Sequence, residues 1–394
     1  MSVLQNIFRD NIEKLPNLPH YKKKAVFHIA TCKTSEAGAV ILGCKKCNLS
    51  KTQYRSCGSR MCNNCGHLKK ELWVNDRLDE LLPVPYHMVT FTIPDKLRCV
   101  FKYNETVCYN LMFKAVAESI KSVFKYHVSA DAEVGFTQFL HTWTQQMLDH
   151  PHSHCIIPAG GLSHDGFEWI PCEKNYFLPA KALGALFRAK LSEAIVSKWR
   201  KGKIVLPPRL QWIKTDGQLS DYSRGKFKRW VVHITKSSFD SEHLVDYLSR
   251  YVQRSVISDD RIENYDGDRV TIRYKNRETN AILRLDLKSE DFIKRYTQHI
   301  LPRGLTRIRY YGFMSCRYKS KKIAIILEIF NPKKPEISIQ RLIKSLEVIL
   351  LKLAGYGYCK NCPDEPLEPI GTIEAIRGKY SRILFPRRKA FTTG

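Results

Sequence analysis

His152 and His154 stand two residues apart in HTWTQQMLDHPHSHCIIPAGG, residues 141–161. On a strand, which the following CIIP suggests, both imidazoles leave the same face. Two imidazoles on one face can hold a single divalent ion and leave positions open for substrate oxygens. A third ligand should come from a neighbouring strand. Gln145 and His141 share a parity upstream; Gln145 is preferred, with His141 close behind. The plain alternative is a His-rich stretch that is only polar surface.

A second group is Tyr247 and Tyr251 in VDYLSRYVQRS. On a helix, residues four apart are neighbours on one face. Paired tyrosines at this spacing are ordinarily the edge of an amphipathic core. Here Arg250 and Arg254 are interleaved, as a phosphate-gripping face needs. Histidines and tyrosines together have one economical chemistry. A metal held by His-x-His polarises a phosphodiester, and a tyrosine hydroxyl attacks phosphorus and becomes joined to the 5′ phosphate. A free 3′-OH leaves, and the retained bond energy permits rejoining without ATP.

The chain has 13 cysteines, and six lie between residues 32 and 65: Cys32, Cys44, Cys47, Cys57, Cys62 and Cys65. Cys44-x-x-Cys47 and Cys62-x-x-Cys65 are two knuckles, and two knuckles complete a tetrahedral zinc site. Cys32 and Cys57 remain, with His28 and His67 near by, and these four could form a second zinc site. Cys359-x-x-Cys362 is a lone pair, readable as half of another metal site or as two unrelated thiols.

Lys and Arg total 65 against 38 Asp and Glu, a formal net charge of +27 over 394 residues. A surplus of that size points to a polyanionic partner, nucleic acid first. The charge is spread along the chain, which favours a broad surface over a basic tail. The composition, 43% hydrophobic and 26% charged, is that of globular domains. No apolar run is long enough to cross a membrane, and the first residues have no secretory apolar core, so a cytoplasmic, reduced protein is expected. No phosphate loop or dinucleotide fingerprint is found.

These groups need elements to carry them. Residues 1–30 read as helical, broken at Pro16 and Pro19. HMVTFTIP from His87, residues 134–146, residues 152–158 and WVVHIT at 230–235 read as strands. Residues 105–128, 180–200, 242–255 and 286–300 read as helices. RVTIRYK, ILRLDLK and KIAIILEIF alternate like strands. The fold class expected is α+β, an antiparallel sheet flanked by helices with His152 and His154 on its middle strands.

At this point the sequence resembles the transposases of the insertion-sequence-ninety-one group, relatives of rolling-circle initiators and relaxases named HUH nucleases for His-hydrophobic-His. The resemblance covers residues 25–330. It rests on Cys32-Lys33-Thr34, Cys44-x-x-Cys47 and SCGSRMCNNCG at 56–66, on the histidine block 140–163, on YLSRYVQRSVISDDRI at 247–262 with DGDRVTIRYK at 266–275, and on FIKRYTQHILPRGLTRIRYYGF at 292–313. It implies that His152 and His154 bind Mg or Mn, that Tyr247 and Tyr251 are both nucleophiles, and that the cysteines build an N-terminal zinc domain touching DNA. Three positions depart from it. Ser153 replaces the usual bulky apolar residue, and Val40 and Met61 stand where relatives often carry histidine.

The reading that follows is a DNA transposase that cleaves single-stranded or hairpin DNA at transposon ends and transfers the strand to target DNA, with host replication proteins as possible partners. Its expected parts are an N-terminal helical segment (1–27), a zinc-binding domain (28–70), an HUH nuclease core with the tyrosine helix (71–262) and a basic C-terminal α/β region (263–394). Lys226, Lys228, Arg229, Arg250, Arg254, Arg307 and Arg309 are the candidate phosphate contacts. Tyr310, Tyr311 and Phe313 either stack unpaired bases or pack in the core. The competing readings are a rolling-circle replication initiator or relaxase, and a non-catalytic zinc DNA-binding protein.

Overall fold

A computed structural model describes residues 2–15, 17–65, 73, 77, 80–172, 178–225, 230–239, 255–276, 278–330 and 357–375 of the protein. The chain opens with helices α1 (Val3–Asp10) and α2 (His20–Ala30), then a hairpin of β1 (Ala39–Gly43) and β2 (Ser50–Tyr54). β3 (Tyr86–Thr92) leads into α3 (Asp95–Tyr103) and α4 (Glu105–His127). After the two-residue β4 (Ala132–Glu133) come β5 (Phe136–Trp143), β6 (Asp149–Pro158), β7 (Gly160–Ser163) and β8 (Trp169–Pro171). Helices α5 (Ala180–Arg200) and α6 (Asp216–Arg224) precede β9 (Val231–Phe239). A meander of β10 (Ile262–Tyr265), β11 (Arg269–Lys275) and β12 (Ile282–Lys288) runs into α7 (Ser289–Thr297). β13 (Ile308–Tyr311), α8 (Lys319–Phe330) and β14 (Glu368–Ile373) follow.

Five strands form the central sheet in the order β13-β5-β6-β3-β9, every neighbour antiparallel. The expected α+β class is therefore the observed one, with the histidine strand β6 in the middle. Alternation along the strands gives the sheet two unlike faces. Val89 and Phe91 of β3, Phe136 and Leu140 of β5, and Cys155 and Ile157 of β6 point to one side and are buried. Helices α4 and α5 cover that side. On α5, Leu183, Phe187, Leu191 and Ile195 recur every fourth residue and line its buried stripe. Phe187 meets Phe91 and Trp230 edge to face, with ring centroids 5.2 and 5.0 Å apart.

Among the described residues, the opposite face is covered by a helix at one end. There Tyr86, Phe139 and Ile156 pack under α8. KIAIILEIF, expected as a strand, is part of this helix. Its buried residues are Ile323 and Ile326, three apart, which is helical spacing. A short apolar run is ambiguous in sequence because strand and helix periods diverge only over longer stretches. Between β13 and α8 the chain turns at Gly312, whose φ is +60°. A Cβ built there would lie 1.7 Å from the Val134 carbonyl oxygen, so the turn admits only glycine.

A second core joins distant parts of the chain. Leu4, Ile7 and Phe8 of α1 pack with Val270 and Ile272 of β11 and with Phe292 and Tyr296 of α7. Phe8 and Tyr296 meet edge to face at 5.1 Å. The Asp259 carboxylate accepts the Leu4 N–H at 3.3 Å and the Asn63 amide at 2.7 Å. The first and last thirds of the chain thus fold against one another.

Ser153, between the two histidines, points to the helix-covered face and is fully buried. Gln138, equally buried, donates its side-chain amide to the Ser153 hydroxyl at 2.8 Å. A buried polar pair thus holds the position between the two histidines. Ser153→Ala strands the Gln138 amide and is expected to cost about 1–3 kcal/mol in urea unfolding. The histidines leave the other face, so their arrangement should be unchanged in the folded variant.

Candidate metal centre and cysteine clusters

His141, His152 and His154 meet on the face of the sheet opposite α4 and α5. Strand pairing sets His141 of β5 directly opposite His152 of β6. His152 and His154 share a face by period two. One ligand nitrogen from each imidazole lies within 4.8 Å of the others, and all three side chains are buried. Ring centroids are 5.5 Å apart for His141–His152, 4.9 Å for His141–His154 and 4.8 Å for His152–His154.

Second contacts orient the rings. His152 Nδ1–H donates to the His150 carbonyl oxygen at 2.7 Å, which leaves Nε2 with its lone pair toward the cluster. His154 Nδ1 lies 2.9 Å from the hydroxyl of Thr90 on β3. Such outer bonds are what metal-ligating histidines use to fix ring and tautomer. Trp143 stacks on His141, centroids 5.3 Å apart and planes 21° apart, and the buried Arg307 guanidinium lies 4.8 Å over the Trp143 ring. Three imidazole nitrogens, converging and oriented from outside, fit a divalent cation with open positions.

Gln145, preferred in sequence as the third ligand, is elsewhere. The chain reverses after Trp143, and Gln145 sits exposed in the turn between β5 and β6. Its side-chain oxygen accepts the Lys275 N–H of β11 at 2.7 Å, so it ties the turn to the meander. The period-two count fails there because the strand ends before it. His141, still on the strand, is the residue brought to the cluster.

The same turn is held by His299. Its Nε2–H donates to the Met147 carbonyl oxygen at 3.0 Å, and its Nδ1 accepts from the Thr142 hydroxyl at 3.1 Å. Accepting the Thr142 hydroxyl needs the neutral ring, and burial pushes its pKa down to about 4 from 6.5. The unfolded chain therefore takes up a proton below pH 6.5 that the folded chain refuses, so this contribution to stability is lost as pH falls from 6.5 toward 4. At about 1.4 kcal/mol per pH unit, unfolding at pH 5 should cost about 2 kcal/mol less than at pH 7, and His299→Gln should lose that part of the dependence.

The cysteines fall into two clusters, neither of them the pairing expected from sequence. Cys32, Cys57, Cys62 and Cys65 form one; Cys44, Cys47, Cys359 and Cys362 form the other, the sulfurs of each within 4.8 Å of one another. A tetrahedral zinc with Zn–S near 2.3 Å would place sulfurs about 3.8 Å apart, so both sets fit. Cys44 and Cys47 do not complete Cys62 and Cys65, because β1 and β2 carry the first knuckle away toward β14. In the first cluster Cys32 and Cys57 sulfurs lie 3.2 and 3.5 Å from that of Cys65. The sulfurs of Cys32, Cys57 and Cys62 hold the Cys65 thiol well below its usual range. Gln5 fastens this loop to α1, donating to the Cys32 carbonyl oxygen at 2.8 Å while its own oxygen accepts the Asn64 amide at 2.8 Å.

His28, a candidate second-zinc ligand, is in neither cluster. It lines a cavity of about 620 Å³ beside Cys57, with Lys24, Arg60 and Arg303 among the other wall residues. Burial, then Lys24, lowers its pKa. Sequence reading missed this basic cavity because its cations come from three separate segments.

The other candidates divide. Tyr247, Tyr251, Arg250, Arg254, Lys226, Lys228, Arg229 and His67 lie outside the described residues. The chain enters the tyrosine segment from β9, whose His233 lies opposite Thr90, in the same cross-strand row as His154. It leaves at Ser255, whose hydroxyl bonds the Asn63 side chain beside the first cysteine cluster. Arg309 is on the opposite face from the histidines. It bonds Asn110, and its guanidinium lies 4.0 Å over the Phe113 ring. Phe313 is wholly buried, which removes it from base stacking, and Tyr311 stacks on Phe136 at 5.1 Å. The Tyr310 hydroxyl accepts from Trp73 at 3.2 Å and from Arg77 at 2.7 Å.

Comparison with known proteins gives the family. Residues 3–93 match the family model described as "Transposase zinc-binding domain", and residues 135–322 match that described as "Putative transposase". The "Putative transposase y4qJ" of Sinorhizobium fredii is 31% identical over 91% of this chain and 90% of its own length. The "Transposase for insertion sequence element IS801" of Pseudomonas savastanoi pv. phaseolicola is 26% identical over 79% of this chain and 75% of its own. A metal-bound structure of the conjugative relaxase TrwC with oriT DNA covers 43% of this chain and 72% of its own at 15% identity, with a TM-score of 0.22, too low to compare folds by. With a relative this similar over nearly its whole length, and both domain families in order along it, the chain belongs to the insertion-sequence transposases of the IS91 group.

Proposed function

We propose that this transposase cuts single-stranded DNA at the ends of its element and transfers the strand through a 5′-phosphotyrosine link, with Tyr247 and Tyr251 as nucleophiles. The observation that carries the proposal is the cluster of His141, His152 and His154 on one face of an antiparallel sheet. A divalent ion bound there, Mg or Mn, would supply positive charge to the non-bridging phosphate oxygens. Three imidazoles favour a transition ion over Mg, so Mn should support the higher rate.

The chain's own residues do the rest. The tyrosine oxygen gives up its proton and bonds phosphorus, the bond from phosphorus to the 3′ oxygen breaks, and that oxygen leaves protonated as a 3′-OH. In the second step a 3′-OH attacks the phosphotyrosine, and the tyrosine regains its proton. Thr90 and the His150 carbonyl keep His154 and His152 aimed. Lys24, Arg60 and Arg303 offer a basic path for the strand beside the first cysteine cluster.

A strand-labelling experiment tests this. The purified protein is mixed with Mn and single-stranded DNA from the element's end, labelled at either terminus. Label at the 3′ end should migrate with the protein on a denaturing gel, and label at the 5′ end should be released. Release of both labels would mean hydrolysis instead of transfer, and a bound 5′ label would mean a 3′-phosphotyrosine; either result rejects the mechanism.

A further inference from the structure

The second cysteine cluster draws on both ends of the chain. Cys44 and Cys47 lie in the turn joining β1 to β2. Cys359 and Cys362 lie in a turn just before β14, which pairs antiparallel with β1 from Ala39↔Ile373 to Gly43↔Glu368. Three strands, β14-β1-β2, thus make one small sheet from segments over three hundred residues apart.

The two turns are built alike. The Cys44 N–H donates to the Leu49 carbonyl oxygen at 2.9 Å, closing the first around its knuckle. The Cys359 N–H donates to the Glu365 carbonyl oxygen at 2.9 Å, closing the second the same way. Leu42 and Leu367 are buried against Cys44 and Cys359. Lys45 and Glu368 pair across the seam at 2.7 Å. Cys47 and Cys359 sulfurs stand 3.5 Å apart, close enough for a shared ligand and too far for a disulfide. The four sulfurs and the apolar side chains form a core of very few residues, too small to hold three strands unaided. Small domains of this kind are ordinarily held by a structural metal.

We infer that Cys44, Cys47, Cys359 and Cys362 together bind one zinc ion, a site split between the two ends of the chain and distinct from the Cys32, Cys57, Cys62 and Cys65 site. The matched zinc-binding region, residues 3–93, holds only half of its ligands. The N-terminal ribbon is therefore completed only when the C-terminal segment docks on it. An ion that clips so long a loop removes much of the unfolded chain's freedom.

The test is metal content of the full chain, purified under reducing conditions with zinc supplied and excess removed. Elemental analysis should give two thiolate-bound zinc ions per chain beside any ion held by the three histidines. Cys359→Ser/Cys362→Ser and Cys44→Ser/Cys47→Ser should each give one zinc fewer than wild type. Wild-type protein reconstituted with cobalt, independent of any variant, should show the absorption of tetrathiolate coordination for two equivalents. A single zinc in the wild type, no loss of zinc in the Cys359/Cys362 variant, or tetrathiolate absorption from only one equivalent of cobalt would each overturn the inference.

Discussion

Changing both Tyr247 and Tyr251 to Phe is expected to abolish the covalent protein–DNA adduct and to lower strand transfer by about 10⁴-fold or more, as removal of a nucleophile does. Either single change should leave an adduct. Spacing of four would set the two hydroxyls one turn apart if the segment is helical, so that either could reach a phosphate held by the same histidines. Transfer that needs two linkages in succession should still fall in each single variant. The double variant should bind single-stranded DNA as well as wild type, because Arg250 and Arg254 are retained. Gel analysis of adducts alongside binding by fluorescence anisotropy separates the two effects. An undiminished adduct in the double variant would remove both tyrosines from the mechanism.

The second large effect belongs to the histidines. His152→Ala and His154→Ala each take one imidazole from the three-histidine cluster. If the bound ion contributes about 4 kcal/mol of charge stabilisation to the transition state, loss of that ion lowers cleavage by about 10³-fold. His141→Ala should fall in the same range. Gln145→Ala should stay within a few-fold of wild type, because its amide serves the Lys275 N–H. The cysteine-bound zinc of all four variants should be unchanged. If Gln145→Ala proved as damaging as His141→Ala, the placement of the third ligand would be wrong. Cleavage with Mn should exceed that with Mg in the wild type, and the ratio should shift when a histidine is replaced.

Much of this was legible in the sequence, and the losses have physical reasons. Period two put His152 and His154 on one face, and the strand between them and CIIP is present. The third ligand was harder because parity counts only while a strand continues. Trp143 ends β5, and the turn carries Gln145 out of register. The knuckles were evident as knuckles, but spacing alone could not tell which met which. Cys44 and Cys47 are close in sequence to Cys62 and Cys65, yet β-pairing with β14 joins them to Cys359 and Cys362. A lone C-x-x-C at the far end gave no local signal of its partner. KIAIILEIF shows the other weakness, a short apolar run that either period accommodates until a neighbouring sheet selects one. Arg307 and Phe313 look like DNA contacts in a basic aromatic segment, and both are buried.

Peptide mapping of the adduct is the most direct measurement. Trypsin cuts after Arg250 and so separates Tyr247 from Tyr251. Wild-type protein would be reacted with Mn and end-derived single-stranded DNA, treated with nuclease and then trypsin, and analysed by mass spectrometry. A residual nucleotide joined by phosphate to the peptide ending in VDYLSR, to YVQR, or to each in separate molecules is the result the mechanism requires. A nucleotide on any other residue, or efficient metal-dependent cleavage with no peptide adduct at all, would contradict it.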